Sequence, residues 1–321
     1  MAKLTRAETA RWLLARDRFC ILTHRRPDGD TIGSAAALCL GLRKLGKQAW
    51  ILENREVTQK YAHLHAGLTK PLAEADDTVV SVDVAAPNML PADFSHLEKA
   101  IALRIDHHYS AVSFTPDELV DHTAGACAEI IYDVLLEAGA ALDKALAEAV
   151  YTAVSTDTGC FRYANTTAHT FCVAAACAEA GGDLFAINQA VFETNTFAKL
   201  RLQSWMVENM RFFAQGQIAV CPLPRTVEAE LGVTEDDMEN ISGFPRSIEG
   251  VKLAATLRQT KDALVKLSVR AVPGYDASAV CAKFGGGGHK GAAGASTKLS
   301  LEEAARAVAD AMLEQFERQI Q

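Results

Sequence analysis

The 321-residue sequence lacks any run of about 18 apolar residues, the length that a membrane-spanning helix needs. Its first segment, MAKLTRAETARWLLARDRF, interrupts its leucines with charged residues and therefore lacks the apolar core of a secretion signal. Both absences argue against a membrane or secreted protein. We expect a cytoplasmic protein with no membrane partner.

The sequence also lacks a CxxC pair. Its eight cysteines lie singly, most of them in apolar helical or strand-like stretches, at positions 20, 39, 127, 160, 172, 177, 221 and 281. Isolated cysteines in apolar surroundings are more often buried thiols than metal ligands or disulfide partners. We therefore expect reduced, structural thiols, which suits a cytoplasmic location.

A third absence is net positive charge, because the chain carries −8 at pH 7. Proteins that wrap long nucleic acids need a basic surface, so we expect no long nucleic acid as a partner. The charge is uneven, however. Residues 243–298 contain nine Lys or Arg and three acids, a balance of +6 that leaves −14 for the remainder. A small anionic ligand fits this stretch.

The first half alternates apolar, strand-like runs with helical ones. The runs FCILTH, QAWILE, TVVSVDVA and IALRIDHH are separated by segments such as SAAALCLGLRKLG. Apolar strands that alternate with helices are typical of a parallel sheet with crossover connections. The sequence therefore predicts an α/β fold, with a parallel sheet that has helices on both faces.

The pattern changes after Gly181-Gly182. A long helical stretch from about Leu184 to Arg211 is followed by shorter strands, GQIAVCPL, VKLAATLR and LVKLSVRAV, the last with the period-2 pattern of a half-buried strand. We predict a first domain over residues 1–185, a helical connector over 186–211, and a smaller α/β domain over 212–321. The active site is expected in the cleft between the domains.

Polar residues stand at the ends of four apolar or helical runs in the first domain. They are His24, Asp28 and Asp30 in THRRPDGDTIGS, Asp83 after TVVSV, the triplet Asp106-His107-His108 after IALRI, and Asp157 in VSTDTG. In a parallel sheet, groups just beyond the carboxyl ends of the strands converge. Four clustered carboxylates cannot all stay ionised without compensation, and two divalent cations would supply it.

Mixed imidazole and carboxylate ligands favour Mn²⁺, Co²⁺, Zn²⁺ or Fe²⁺ over an all-oxygen Mg²⁺ or Ca²⁺ site. One acid can bridge two such metals about 4 Å apart, an arrangement suited to phosphoryl hydrolysis. Each segment alone has a simpler interpretation, since a single strand-end aspartate is usually a turn former or a helix cap. The four segments together favour the metal site.

The set HRRPDGDTIGS, VD, DHH and TDTG resembles the four N-terminal motifs of the DHH phosphoesterase superfamily. The resemblance implies two divalent metals, most simply Mn²⁺, with Mg²⁺ or Co²⁺ as alternatives. It implies one ligand set for each metal and one shared ligand. His24 and Asp28 would hold the first metal, Asp30, His107 and Asp157 would hold the second, and Asp83 would bridge the two. It also implies that His108 faces the substrate phosphate as a catalytic group, while Asp106 supports the histidines.

The segment KFGGGGHKGAAGAS is the other prominent motif. Its glycines could form a flexible linker, but consecutive glycines also let backbone N–H groups approach a phosphate, which we favour. The alanine-rich continuation predicts the start of a helix. The segment resembles the glycine-rich motif of DHHA1 domains, which implies substrate contacts from Arg270, Gly287 and His289 and weaker ones from Arg258 and Lys290. A simple surface role for Arg270 remains an alternative.

The resemblance extends to short members that act as oligoribonuclease and 3′-phosphoadenosine 5′-phosphate phosphatase. We therefore expect a phosphohydrolase whose substrates are very short RNA or nucleotide bisphosphates. A phosphodiesterase for linear or cyclic dinucleotides is the nearest alternative. A pyrophosphatase ranks third, and a non-catalytic nucleotide sensor is disfavoured because no proposed metal ligand is missing. The sequence is compatible with a homodimer and does not specify the oligomeric state.

Overall fold

The computed structural model describes residues 2–109, 111–238 and 241–320. Contacts within the chain divide it into two compact units, with the boundary between Thr194 and Asn195. No helix in the described ranges combines the length and the apolar character needed to cross a bilayer.

The first unit is built on a seven-stranded sheet. Its strands are β1 (Ala2–Lys3), β2 (Phe19–Leu22), β3 (Ala49–Leu52), β4 (Thr69–Lys70), β5 (Thr78–Val82), β6 (Ile101–Asp106) and β7 (Asp117–Val120). Their order is β1-β7-β6-β5-β2-β3-β4, and every neighbouring pair is parallel. The predicted α/β class with a parallel sheet is confirmed. The order reverses between β5 and β2, where crevices that bind ligands form in such sheets.

Alternate residues of the central strands pack on opposite faces of this sheet. Phe19 and Ile21 contribute to a core shared with the α-helices, whereas Cys20 and Leu22 contribute to a smaller core with Phe94. The helices of this unit are α1 (Arg6–Leu14), α2 (Gly29–Lys44), α3 (Cys127–Glu137), α4 (Lys144–Asp157), α5 (Ala168–Glu179) and α6 (Leu184–Asn188). The smaller core is instead covered by a 3₁₀ segment, Ala92–Ala100.

The second unit contains a mixed six-stranded sheet. Its elements are α7 (Phe197–Asn209), β8 (Arg211–Phe213), β9 (Ile218–Leu223), α8 (Arg225–Leu231), β10 (Leu253–Gln259), β11 (Val265–Ala271), α9 (Ala277–Ala282), β12 (Gly287–Gly288), β13 (Ala292–Thr297) and α10 (Leu301–Ile320). The strand order is β12-β13-β11-β10-β9-β8. Helices α9 and α10 pack on one face, and α7 and α8 pack on the other. The three strands expected from the sequence are β9, β10 and β11.

Two local predictions are wrong. The helical stretch expected from Leu184 to Arg211 is interrupted, because residues 194–196 are not helical and Thr196 caps α7 by accepting a hydrogen bond from the backbone N of Lys199. The alanine-rich segment after the glycine run is strand β13, not the start of a helix. It pairs with β11 from Ala292 to Thr297, and these pairs outweigh the helix propensity of alanine.

Candidate metal centre

The loop after β2 delivers three of the predicted ligands. His24 is buried just beyond the strand, Asp28 caps α2 by accepting a hydrogen bond from the Thr31 backbone at 3.1 Å, and Asp30 lies in the first turn of the helix, 1% exposed. Gly29 is needed for close packing here. A Cβ at this position would lie 2.4 Å from Thr156 Oγ1, next to the end of α4. The glycine thus lets this loop approach the segment that carries Asp157.

Asp83 follows β5 directly and is 1% exposed. Its backbone has φ +59°, a left-handed conformation that aspartate and asparagine adopt more readily than most residues. The Oδ2 atom accepts a hydrogen bond from Thr31 Oγ1 at 2.5 Å. No described residue donates a hydrogen bond to Oδ1, although this atom is buried.

The DHH triplet lies at the end of β6. Asp106 Oδ1 accepts hydrogen bonds from the backbone N–H groups of His107 and His108, at 2.8 and 3.2 Å, and from His108 Nδ1 at 2.8 Å. A carboxylate only accepts, so His108 Nδ1 carries a proton and Nε2 is left for another partner. His108 Nδ1 also lies 3.4 Å from Asp83 Oδ1.

Asp157 is the last residue of α4. The side-chain amide of Asn165 donates to Asp157 Oδ2 at 3.2 Å and to the backbone oxygen of Gly125 at 2.8 Å. A buried carboxylate, Glu129, accepts a hydrogen bond from the backbone N of Gly125. The Asp157 carboxylate is therefore held by a polar network that includes the start of α3.

The first group of candidate ligands contains His24, Asp28 and Asp83. His24 Nε2 lies 3.8 Å from Asp28 Oδ1 and 3.5 Å from Asp83 Oδ2. Ligand atoms of all three residues fall within 4.8 Å of one another. This spacing is compatible with a single shared cation.

The second group contains Asp30, His107 and Asp157, again within 4.8 Å. His107 Nε2 lies 3.6 Å from Asp30 Oδ2 and 3.7 Å from Asp157 Oδ2. The same nitrogen is 3.6 Å from Asp83 Oδ1. Asp83 therefore contacts the first group through Oδ2 and the second through Oδ1, so the six predicted ligands meet as two groups joined by one carboxylate.

Without a bound cation, protons would compensate these carboxylates. Burial disfavours the imidazolium of His24, but Asp83 and Asp28 outweigh it and raise its pKa to about 9. His107 behaves in the same way, and Asp30 with the neighbouring aspartates raises its pKa to about 9. In the absence of a cation, the aspartates thus favour the protonated form of both histidines.

The carboxylates respond unequally. Burial, then Asp83, raises the pKa of Asp30 well above its ordinary value. Burial also raises the pKa of Asp157 to about 7. For Asp83 burial acts in the same direction, but the hydrogen bond and charge of His24 outweigh it and lower its pKa to about 2. Asp83 is thus the permanently charged member.

These residues fit divalent cations. Asp83 Oδ1 is buried and receives no hydrogen bond from any described residue, and a buried carboxylate oxygen without a hydrogen bond is costly. The donor set combines imidazole nitrogens with carboxylate oxygens, which suits first-row divalent metals. A bound cation would satisfy the oxygen and replace the protons on the histidines.

Arg104, which was not among the predicted site residues, supports the DHH triplet from inside the sheet. It is 1% exposed in β6, and its guanidinium donates to Glu118 Oε2 on β7 at 2.7 Å and to the Ala85 backbone oxygen at 3.1 Å. Its Nη1 is 3.6 Å from Asp106 Oδ2. The charge in the otherwise apolar run IALRI was the available signal. Thr31 and Asn165 were also missed, and no pattern marked them.

In the second unit, the glycine run forms a tight hairpin. Gly287 pairs with Gly294, and the backbones of His289 and Ala292 exchange hydrogen bonds at 2.9 and 3.2 Å. Ala292 in turn pairs with Arg270 on β11. This pairing brings Arg270 and the exposed hairpin to the same end of the sheet. Lys290 is part of the turn and is exposed.

The glycines of the run have different roles. A Cβ at Gly286 would lie 2.2 Å from the Gly294 oxygen, and Gly288 has φ +145° with a similarly close backbone neighbour. These two positions need glycine for the hairpin itself. Gly287 has no such neighbour and is exposed, so the hairpin edge at this position is accessible to a ligand.

Arg258 stands apart from the hairpin. It lies near the other end of β10, where it pairs with Lys266, whereas Arg270 pairs with Ala254. Its guanidinium makes four hydrogen bonds to Glu228 and Glu235, at 2.6 to 3.1 Å. The structure therefore does not bring Arg258 together with the other predicted substrate contacts.

Comparison with known proteins agrees with this architecture. A model of the DHH family N-terminal domain matches residues 18–154, and a model of the DHHA1 domain matches residues 215–317. The chain belongs to the DHH family, a family of metal-dependent phosphoesterases, and divalent metal use follows from that membership.

Individual relatives extend over nearly the whole chain. The bifunctional oligoribonuclease and PAP phosphatase NrnA of Thermus thermophilus is 30% identical over 93% of this chain and 90% of its own length. The protein of the same description from Bacillus subtilis is 27% identical, covering 95% of this chain and 97% of its own. An exopolyphosphatase-related protein from Bacteroides fragilis has the same fold, with a TM-score of 0.88 at 22% identity and 96% coverage of both chains.

Proposed function

We propose that this protein is a two-metal phosphohydrolase that degrades very short RNA to 5′-mononucleotides and removes the 3′-phosphate of 3′-phosphoadenosine 5′-phosphate. The observation that carries the proposal is Asp83, whose two carboxylate oxygens each contact a different group of candidate ligands. The relatives named oligoribonuclease and PAP phosphatase, which match over nearly their full lengths, support this choice of substrates. The eight cysteines, all free thiols, support a cytoplasmic location.

His24 and Asp28 would hold one cation, Asp30, His107 and Asp157 the other, and Asp83 both. Mn²⁺ is the proposed metal, with Mg²⁺ or Co²⁺ as alternatives. When bound, the cations supply Lewis-acid polarisation of the phosphoryl group and activation of water.

His108 is the proposed catalytic side chain outside the ligand sets. Asp106 fixes the proton on its Nδ1 at 2.8 Å, so Nε2 is the atom that faces the substrate and handles a proton or polarises the phosphate. In the second unit, Arg270, Gly287, His289 and Lys290 bind the anionic substrate. The four hydrogen bonds of Arg258 to acidic residues support a structural role for it instead.

A substrate panel tests the proposal. Purified protein with Mn²⁺ is assayed against RNAs of two to ten nucleotides, 3′-phosphoadenosine 5′-phosphate, linear and cyclic dinucleotides, and pyrophosphate. We expect the highest kcat/KM on RNAs of two to five nucleotides and on the bisphosphate. Preference for a cyclic dinucleotide or pyrophosphate would replace the proposed substrate class, and binding without turnover would indicate a sensor.

A further inference from the structure

Tyr163 is an exposed aromatic residue on the loop that follows Asp157, and the functions proposed above do not use it. Its side chain is 49% exposed. Large aromatic side chains gain free energy from burial, so a half-exposed ring on the loop that follows a candidate metal ligand is a candidate ligand contact.

One face of the Tyr163 ring lies on the backbone of Gly159. A Cβ at Gly159 would be 2.3 Å from Cζ and 2.5 Å from both Cε atoms of the ring, distances that are reached together only from above the ring plane. Any side chain at Gly159 would displace the ring. The ring is thus seated on the loop, with part of its surface in solvent.

The loop itself holds an unusual conformation. Gly159, Cys160 and Phe161 are consecutive residues with φ of +57°, +57° and +62°. For cysteine and phenylalanine this left-handed conformation costs free energy, which the surroundings must supply. Part of the support comes from Phe161, which stacks on Phe171 with ring centroids 5.5 Å apart.

The same loop is tied to the candidate metal centre. The backbone N of Tyr163 donates to the oxygen of Thr158 at 3.0 Å, and Thr158 follows Asp157 directly. Asn165, two residues after Tyr163, donates to Asp157 Oδ2 at 3.2 Å. One hydrogen-bonded loop therefore fixes both a carboxylate of the metal centre and the exposed ring.

We propose that Tyr163 is a stacking platform for a nucleobase of the substrate, the base of a nucleotide joined to the phosphate that is cleaved. The inference rests on the proposed function and adds a base subsite to it. Every nucleobase has a π face, so such a platform tolerates any sequence, as an enzyme for short RNA requires. A ring already fixed on Gly159 loses little conformational freedom on binding.

Equilibrium binding of a phosphorothioate-linked trinucleotide tests the subsite, compared with the same trinucleotide lacking its bases. Tyr163→Ala should raise Kd for the normal trinucleotide about 5- to 150-fold, the range for one base stack. Tyr163→Phe should stay within about twofold, whereas Tyr163→Leu, apolar but without a π face, should resemble Tyr163→Ala. For the abasic trinucleotide, all variants should match wild type within about twofold.

Phe212→Ala is the matched control, because Phe212 is 48% exposed but lies on β8 of the second unit; we expect unchanged Kd. Metal content should equal that of wild type in every variant. An unchanged Kd in Tyr163→Ala, or an equal loss for normal and abasic trinucleotides, would overturn the subsite. If wild-type protein neither bound nor cleaved any nucleotide, the proposed function itself would fail, and this result needs no variant to be seen.

Discussion

The two units place their candidate functional side chains in opposite surroundings. In the first, Asp30 and Asp83 are each 1% exposed, whereas in the second, His289 and Lys290 are exposed. A buried carboxylate needs a counter-charge or hydrogen bonds, so several buried carboxylates close together favour a site for cations. An exposed cation has water as an alternative partner, so its position alone says little about a ligand. The first site can be tested by removing charge, the second by its effect on substrate affinity.

The strongest test of the buried site is Asp83→Ala. Because both groups of ligands share this carboxylate, we expect loss of both metals and of activity down to the assay background. The measurement is elemental analysis after gel filtration. The matched control is Asp76→Ala, since Glu74, Asp76 and Asp77 also lie within 4.8 Å but at the surface beside Arg18. Retention of two metals in Asp83→Ala would contradict the shared-ligand assignment.

The neighbouring histidines should separate metal binding from catalysis. His108→Ala should keep both metals and lower kcat about 10²- to 10⁴-fold, because it removes a group that handles a proton or polarises the phosphate. His107→Ala should lose metal instead. Equal metal loss in the two variants would show that the roles of the two histidines are divided wrongly. His108 Nδ1 lies only 3.4 Å from Asp83, so the two roles have to be separated by experiment.

The raised histidine pKa values predict how metal affinity depends on pH. The pKa values of His24 and His107 are raised to about 9, so each cation, which takes one of these histidines, has to displace about one imidazole proton near pH 7. The histidines alone should raise the affinity for each cation by up to about tenfold per pH unit from pH 7, and this rise should level off above about pH 9. The imidazolium contribution to stability of the metal-free protein runs the other way: it is complete below pH about 6.5 and lost through pH 9. Titration calorimetry in two buffers of different ionisation enthalpy counts the protons, and a count of zero at pH 7 would refute these assignments.

The smallest effect is expected in the second unit. Arg270→Ala should raise KM for a trinucleotide about tenfold and leave kcat nearly unchanged, because it removes a positioning contact. Arg258→Ala is the control that should not raise KM, since this guanidinium is engaged by Glu228 and Glu235.

The +6 balance of residues 243–298 against −14 elsewhere also predicts that kcat/KM falls beyond about five nucleotides. Efficient cleavage of a 24-mer would favour a processive exonuclease.

The sequence predicted the candidate ligands of the buried site better than the residues that hold those ligands in place. His24, Asp83 and His107 stand at the ends of apolar strands, where polarity interrupts a strong pattern and the topology makes such ends converge. Arg104 was missed because a single charge within a strand is usually at an edge or the surface. Asn165 was missed because its contact with Asp157 depends on a loop with left-handed residues, which no local pattern specifies.

The glycine-rich segment shows a different kind of failure. Its continuation, GAAGAS, has the composition of a helix, yet Ala292 to Thr297 form β13. The reason is non-local, since the partner strand β11 lies more than 20 residues earlier in the chain. Strand formation here depends on pairing and burial more than on intrinsic preference. Local periodicity does not predict a strand whose formation depends on pairing with a distant segment, as β13 does.

The left-handed backbone at Asp83 limits what evolution or mutagenesis can put there. A residue at φ +59° must tolerate that conformation as well as supply a charged oxygen, and among acidic residues aspartate does so far better than glutamate. Position 83 thus has two independent requirements, a charged carboxylate oxygen and a residue that tolerates a left-handed backbone. Asparagine satisfies the geometry alone, so Asp83→Asn isolates the charge, whereas Asp83→Ala and Asp83→Glu each carry an added conformational cost of about 1 kcal/mol.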